Sequence, residues 1–282
     1  MSPSSAPDAS TFLLRSPDGA AARISLHGGQ VLSWVPAGGE EQLYLSPTSR
    51  YGAGASIRGG VPVIFPQFAE QGAGPRHGIA RNRPWQLVQQ EKGQDDALAV
   101  LRLNDDAETR ALWPHAFALE LTVRLTGVQL DLELAVENLD DVPFDFQAAL
   151  HSYWRVQSLT HTVVQGLQGC TYFDQVRGGA EGVQHSSRME LMGQGPVDRV
   201  VTGVPGTWGL TELGAPPARR LGLLLEGFED AVVWNPGPGH GLPDLPDDGW
   251  QHMLCLEAAQ IERPVHLPPG EVWVARQTAR CM

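Results

Sequence analysis

The chain has 282 residues, 18% of them charged, with 32 glycines, 22 prolines and a formal net charge of -12. That length allows one large β domain or two ordinary ones, with ample core, and so much glycine and proline disfavours long helices. The acidic balance argues against nucleic acid or an anionic membrane as partner, because the long-range field repels phosphate backbones; a small phosphorylated ligand needs only a local basic pocket.

Residues 1–10 are small, polar and proline-containing, and are expected to be a disordered tail. They hold neither a basic nor an apolar segment, so no signal peptide is read, and no apolar run in the chain is long enough to span a bilayer. Cys170, Cys255 and Cys281 are odd in number and widely spaced. They read as reduced thiols, neither a disulfide framework nor a zinc site, which makes the cytoplasm the expected location.

From Thr11 the pattern is that of strands. Phe12-Leu13-Leu14 precedes a turn at Ser16-Pro17-Asp18-Gly19, then come Ala22 to Leu26, a break at Gly28-Gly29, and Val31 to Val35. This is an opening β-meander. Leu43-Tyr44-Leu45 offers a further short strand. Residues 56–85 follow, with Arg58, Arg76, Arg81, Arg83 and His77 in a glycine- and proline-rich stretch that cannot be a helix. In so acidic a chain this is a local reversal of field, and the planar guanidinium suits phosphate or carboxylate. Two readings stand level here: a site for a small anion, and a solvated loop whose arginines pair with carboxylates elsewhere.

The clearest elements lie at 117–137. Phe117, Leu119, Leu121, Val123 and Leu125 alternate with Ala118, Glu120, Thr122 and Arg124; after Thr126-Gly127 the alternation resumes through Leu130, Leu132, Leu134 and Val136. Period two on both arms predicts a long antiparallel hairpin with one dry and one wet face. Shorter runs of this kind occur at 98–103, 144–148, 221–225, 231–234, 253–256 and 272–277, and residues 106–112 hold a helical turn or two. The expected fold is all-β, a large antiparallel β-sandwich, with 11–282 as a single domain. Residues 178–195 read as a long loop and 235–248 as a flap over the surface.

Arg58-Gly59-Gly60 with Pro62 and Phe65-Pro66, then His77-Gly78-Ile79-Ala80-Arg81-Asn82 closing on Trp85, resembles the signature region of the hexose-6-phosphate mutarotases, the glucose-6-phosphate 1-epimerases of the aldose 1-epimerase superfamily. Leu150-His151-Ser152-Tyr153, Val197-Asp198-Arg199-Val200 and Cys255-Leu256-Glu257-Ala258-Ala259 resemble the same family, in the right order. The resemblance implies a galactose mutarotase-like supersandwich and an isomerase that equilibrates the anomers of glucose 6-phosphate, acid/base chemistry for which no metal or organic cofactor is needed. It implies that Arg58 and Arg81 hold the phosphorylated sugar, that His77 is the histidine of an HGFAR-type motif, and that Asp198 accepts hydrogen bonds from sugar hydroxyls. Arg76 stands where the family has glutamine and adds a positive charge beside the anion site. Gln67 and Ile79 replace a tryptophan and a phenylalanine, and the tryptophan and lysine that commonly follow Trp234-Asn235-Pro236 give way to Gly237-Pro238-Gly239-His240. Arg76 or Arg83 is expected to compensate for that lysine.

Interconverting anomers requires one group to take the proton of the anomeric hydroxyl while another protonates the ring oxygen. A carboxylate and a histidine form an economical pair, since their ordinary pKa values let one be ionised while the other carries a proton. Glu257 lies in a run apolar enough to be buried on both faces, where a carboxylate is costly unless paired or engaged in chemistry; its other reading is a salt bridge to an arginine. His151 follows an apolar strand and precedes Ser152-Tyr153-Trp154, whose aromatics could hold a sugar face; its other reading, preferred but for the resemblance, is a core histidine bonded to a backbone carbonyl. Asp198 has the alternative of a turn aspartate after Gly195-Pro196. The expectation is Glu257 as general base and His151 as general acid, with a bell-shaped rate against pH and a small-molecule sugar phosphate as the partner of a monomer. Rival readings are a mutarotase for an unphosphorylated aldose and a non-catalytic carbohydrate-binding module.

Overall fold

The computed structural model describes residues 10–52, 54–191, 195–214 and 219–282. The tail expected over 1–10 therefore lies outside the described residues except for Ser10, whose carbonyl accepts a hydrogen bond from Leu26 N. Among the described residues there are twenty strands and one short α-helix. In chain order the first strands are β1 (Thr11–Arg15), β2 (Ala21–Ser25), β3 (Gln30–Val35), β4 (Val63–Ile64), β5 (Gln86–Lys92) and β6 (Ala97–Asn104). After α1 (Ala107–Leu112) come β7 (Phe117–Thr126), β8 (Gln129–Asn138), β9 (Phe144–Leu150), β10 (Tyr153–Arg155), β11 (Thr162–Gln165), β12 (Thr171–Asp174), β13 (Ala180–Val183) and β14 (Arg188–Glu190). The last are β15 (Val197–Thr202), β16 (Thr207–Glu212), β17 (Arg220–Glu226), β18 (Asp230–Asn235), β19 (Met253–Leu267) and β20 (Val272–Cys281).

These strands form a three-stranded meander, β1-β2-β3, and two large antiparallel sheets. One runs β14-β11-β16-β17-β20-β8-β7-β6-β5; the other runs β13-β12-β15-β18-β19-β9-β4, with β10 also paired to β19. The hairpin expected at 117–137 is β7–β8, in register from Phe117 opposite Asn138 to Thr126 opposite Gln129. Its odd-numbered β7 residues and even-numbered β8 residues are buried against the second sheet, while the other face carries ion pairs such as Arg276 with Glu133 and Arg102 with Glu120. Burying the apolar side of such a hairpin contributes on the order of 2 kcal/mol for each leucine or valine.

The second sheet is covered on both faces, and this positions the site. Along β19, Leu254, Leu256 and Ala258 enter the large core between the sheets. The alternate residues Met253, Cys255, Glu257, Ala259 and Ile261 face the other way, where Cys255 and Met253 pack with Tyr153, and Ala259 and Ile261 with Ile64, Phe68 and Val232. A strand read from its sequence as buried on both faces is thus core on one side and cavity floor on the other.

Several expectations need correction. Leu43-Tyr44-Leu45 forms no strand; Leu43 and Leu45 make isolated pairings with Trp154 and Gly59. Within 178–195, read as a loop, β13 and β14 are strands at the sheet edges. The run at 253–256 is the start of a strand that continues to Leu267, with an irregularity between Gln260 and Val265. α1 is the helix expected at 106–112, capped by Asp106, whose side chain accepts from Thr109 N while Thr109 Oγ1 accepts from Asp106 N.

Candidate active site

A cavity of about 790 Å³ opens over the outer face of the second sheet. Its floor comes from strand ends and strand centres, its mouth from the arginine-rich segment and the flap. His151, Glu257, Asp198, His77, Arg58 and Arg81 all line it, and Arg76 stands at its rim. Seven of the residues singled out in the sequence therefore meet in one place. Arg83 does not: it pairs with Glu108 and lines a separate cavity of about 830 Å³ behind the arginine-rich segment. It cannot replace the missing lysine from there.

His151 sits where β9 ends. Its backbone N–H donates to Pro62 O at 3.0 Å, and its ring lies stacked on Tyr153, centroids 4.8 Å apart and 8° from parallel. Trp234 meets the same ring edge-on at 5.9 Å and His77 at 5.6 Å. Among the described residues its Nδ1 meets no backbone carbonyl. Its Nδ1 lies 3.2 Å from Glu257 Oε1, yet without the alignment of a hydrogen bond, and both Nδ1 and Glu257 Oε2 are buried with no hydrogen-bond partner among the described residues. Among the described residues Glu257 pairs with no arginine; its ion-pair neighbour is this histidine. Of the aromatics beside His151, Tyr153 faces the cavity, while Trp154 turns into the core against Trp34 and donates to Leu256 O.

Burial pushes the Glu257 carboxyl well above the usual carboxylate range, with Asp198 adding to the rise and Arg81 opposing it. Burial likewise holds His151 well below the usual histidine range, helped by His77, Arg81 and Arg58. Each group alone prefers its neutral form. A protonated glutamate beside a neutral histidine has the same proton count as a carboxylate beside an imidazolium.

The arginines differ in how free they are. Arg58 is held by Asp244, with Nε and Nη2 each 3.1 Å from Oδ1, and by Tyr153 OH at 3.0 Å from Nη1. Burial works against its charge, but Tyr153 and Asp244 outweigh burial and raise its pKa. Arg76 pairs with Glu70 at the exposed rim. Among the described residues Arg81 has no carboxylate partner; its Nη2 donates to Arg76 O, and its Nε is buried without a partner. Burial and the neighbouring Arg58 and Arg76 push it down to about 10, with Tyr153 opposing, which leaves it cationic at neutral pH.

His77 has a positive φ of 63° and is followed by Gly78. Its Nδ1 accepts from Ala69 N at 3.2 Å, and burial, followed by Arg81, Arg76 and Arg58, pushes its pKa down to about 3. A neutral ring that accepts at Nδ1 carries its proton at Nε2, so His77 is a donor. Asp198 is not a turn residue: it lies within β15 opposite Trp234 on β18. Burial raises its carboxyl to about 6, against Arg76 and with Asp174.

Asp244 was not singled out from sequence, nor was Arg50 at the cavity edge. The flap carries Asp244 in, and Ser46 Oγ fixes it by donating to Asp244 O at 2.6 Å. An aspartate in a glycine- and proline-rich run gives no periodic signal, so only the fold shows its partner.

Residues 10–280 match the family model described as aldose 1-epimerase. The chain is 32% identical over 275 residues to a protein of Cenchrus ciliaris, covering 94% of this chain and 82% of the relative. It is 33% identical over 260 residues to one of Escherichia coli (strain K12), covering 87% and 84%. Both relatives are provisionally named glucose-6-phosphate 1-epimerase. A Salmonella typhimurium protein provisionally called a mutarotase superposes with a TM-score of 0.87 at 29% identity, over 96% of this chain and 90% of that one. A galactose mutarotase related enzyme of Lactobacillus acidophilus shares the fold at a TM-score of 0.74 and 14% identity, over 96% and 97%.

Proposed function

The chain belongs to the aldose 1-epimerase family and is an isomerase that interconverts sugar anomers; we propose that it acts on a hexose 6-phosphate, glucose 6-phosphate first, with His151 and Glu257 as its proton-transfer pair. The observation that carries this reading is that pair on the floor of a cavity whose mouth holds Arg58, Arg76 and Arg81.

In the reacting state Glu257 is the carboxylate and His151 the imidazolium. Glu257 takes the proton from the C1 hydroxyl, the C1–O5 bond breaks as the carbonyl forms, and His151 protonates O5. Rotation about C1–C2 then presents the other carbonyl face. On reclosure O5 attacks C1, its proton returns to His151, and Glu257 gives its proton back to O1. The pair ends with the proton it began with, as an isomerase working in both directions requires. Asp198 takes sugar hydroxyl donors, His77 offers Nε2–H, and Arg81 with Arg76 receives the phosphate.

The names of the relatives support the phosphorylated substrate. One observation favours the unphosphorylated rival: Arg58 and Arg76 already have carboxylate partners. NMR exchange spectroscopy of the anomeric protons of glucose 6-phosphate, glucose and galactose separates the two. Acceleration for glucose 6-phosphate is the expected result; acceleration for the unphosphorylated sugars alone overturns the substrate assignment. Three free cysteines support a cytoplasmic location, and a monomer is retained as part of the proposal. No helix among the described residues is long and apolar enough to cross a membrane.

A further inference from the structure

We propose that the cavity floor is also a cation site, in which His151, Cys255 and Glu257 bind a thiophilic divalent ion of the zinc and cadmium class and the bound ion arrests the enzyme. Cys255 and Glu257 are two residues apart on β19 and so project from the same face. His151 follows β9, whose Leu150 pairs with Ala258 of that strand. One ligand atom from each residue, Nδ1 or Nε2, Sγ and a carboxylate oxygen, falls within 4.8 Å of the others.

A second observation points to a ligand at this place. His151 Nδ1 and Glu257 Oε2 are both buried and lack a hydrogen-bond partner among the described residues, in side chains only 8% and 1% exposed. Buried polar atoms of this kind are costly unless something meets them, and a cation among the three residues would take electron pairs from both. Zinc binds nitrogen and sulfur ligands at about 2.0–2.3 Å, so its ligands stand roughly 3.5 Å apart. The group needs a closure of about 1 Å, which the side chains can supply. One thiolate, one imidazole and one carboxylate suit zinc or cadmium and not magnesium or calcium, which prefer oxygen alone. The fourth position faces the cavity, where the sugar would lie. On binding, Cys255 and any protonated Glu257 release their protons to solvent, and the charges of thiolate and carboxylate balance that of the ion.

The site stands on its own geometry; the arrest rests on the reading of His151 and Glu257 as the proton-transfer pair. The test is a titration of the full chain with cadmium, followed by the ultraviolet charge-transfer absorption of a cadmium–thiolate bond. It is run on a Cys170→Ser, Cys281→Ser double variant, in which Cys255 is the remaining thiol. The expected result is a band that saturates at one equivalent and disappears when Cys255→Ser is added. Glu257→Gln should weaken cadmium binding by at least the roughly 10–100-fold that loss of a supporting partner costs a metal site. Anomer exchange should stop as the band saturates. No band in the double variant, or exchange that continues with the band saturated, overturns the proposal. A saturating band in a protein whose metal-free form accelerates no anomer exchange overturns the substrate reading and leaves the site standing; exchange without a band does the reverse.

Discussion

Asp198, which lines the cavity, shows how a buried carboxyl costs the fold something. Its carboxyl titrates near 3.9 in an unfolded chain and at about 6 in the folded one, mainly through burial. Because the folded value is raised, the fold prefers the neutral acid: stability is fully present below the unfolded value and is lost as pH rises through about 6. A shift of this size is worth at most ~3 kcal/mol, and partial exposure reduces it to roughly 1–2 kcal/mol. An Asp198→Asn variant should therefore melt progressively higher than its parent as pH rises from about 4 to about 7, by some 2–4 °C per kcal/mol, while its KM for the sugar increases. A melting difference that does not change with pH would reject burial as the cause. The His151–Glu257 pair yields a second prediction. With the histidine held low and the carboxyl held high, the single-proton state persists between those two limits. The rate should be a broad bell: its acid limb falls below the ordinary histidine range, where a second proton removes the base, and its alkaline limb above the ordinary carboxylate range, where the last proton leaves. Glu257→Gln and His151→Asn should each lower kcat by about 10²–10⁴-fold, and full exchange in either variant would remove that residue from the mechanism.

At the scale of the element, the segment bearing Arg58 is held by close backbone approach. Gly59 and Gly60 have φ of 116° and 61°, and a Cβ on Gly60 would stand 2.2 Å from Val31 O. Gly60 O also accepts from Tyr153 N at 2.9 Å, so a shift there moves the ring on which His151 is stacked. Gly60→Ala should cost about 2–4 kcal/mol from positive φ and overpacking together. The expected signs are a melting temperature lower by roughly 5–15 °C and a fall in kcat/KM measured well below that temperature; an unaltered melting curve would mean the backbone has room the geometry denies. What the sequence made legible follows the same physics. β7 and β8 could be read because one face is wet and the other dry. β5 could not, since Gln86–Lys92 is exposed along its whole length and shows no alternation. β13 and β14 are three- or four-residue edge strands, too short to carry a period. The motif residues His151 and Glu257 were visible one by one, but their contact depends on β9 pairing with β19, and the Arg58–Asp244 pair depends on where the flap folds.

For the whole molecule, the question is whether residues 11–282 melt as one unit, as a single domain must. The main core runs from Leu14 to Ala279 and takes side chains from both large sheets and from the meander. The connectivity crosses it repeatedly: β20, last in the chain, lies between β17 and β8, and β19 lies between β18 and β9 in the opposite sheet. Neither half of the chain can leave without stripping the central strands of the other, and a core shared this way gives cooperative unfolding. We therefore predict one calorimetric transition whose van 't Hoff enthalpy equals the calorimetric enthalpy. The result that would count against a single domain is two resolved transitions, or a calorimetric enthalpy well above the van 't Hoff value. The outcome also bears on the site, because His151 follows β9 and Glu257 lies in β19, while Arg58, Arg76 and Arg81 flank β4, a strand of that same sheet. A protein that unfolds in one step holds His151, Glu257 and the arginines in register until the whole fold is lost, so anomer exchange should disappear at the same temperature as the sheets.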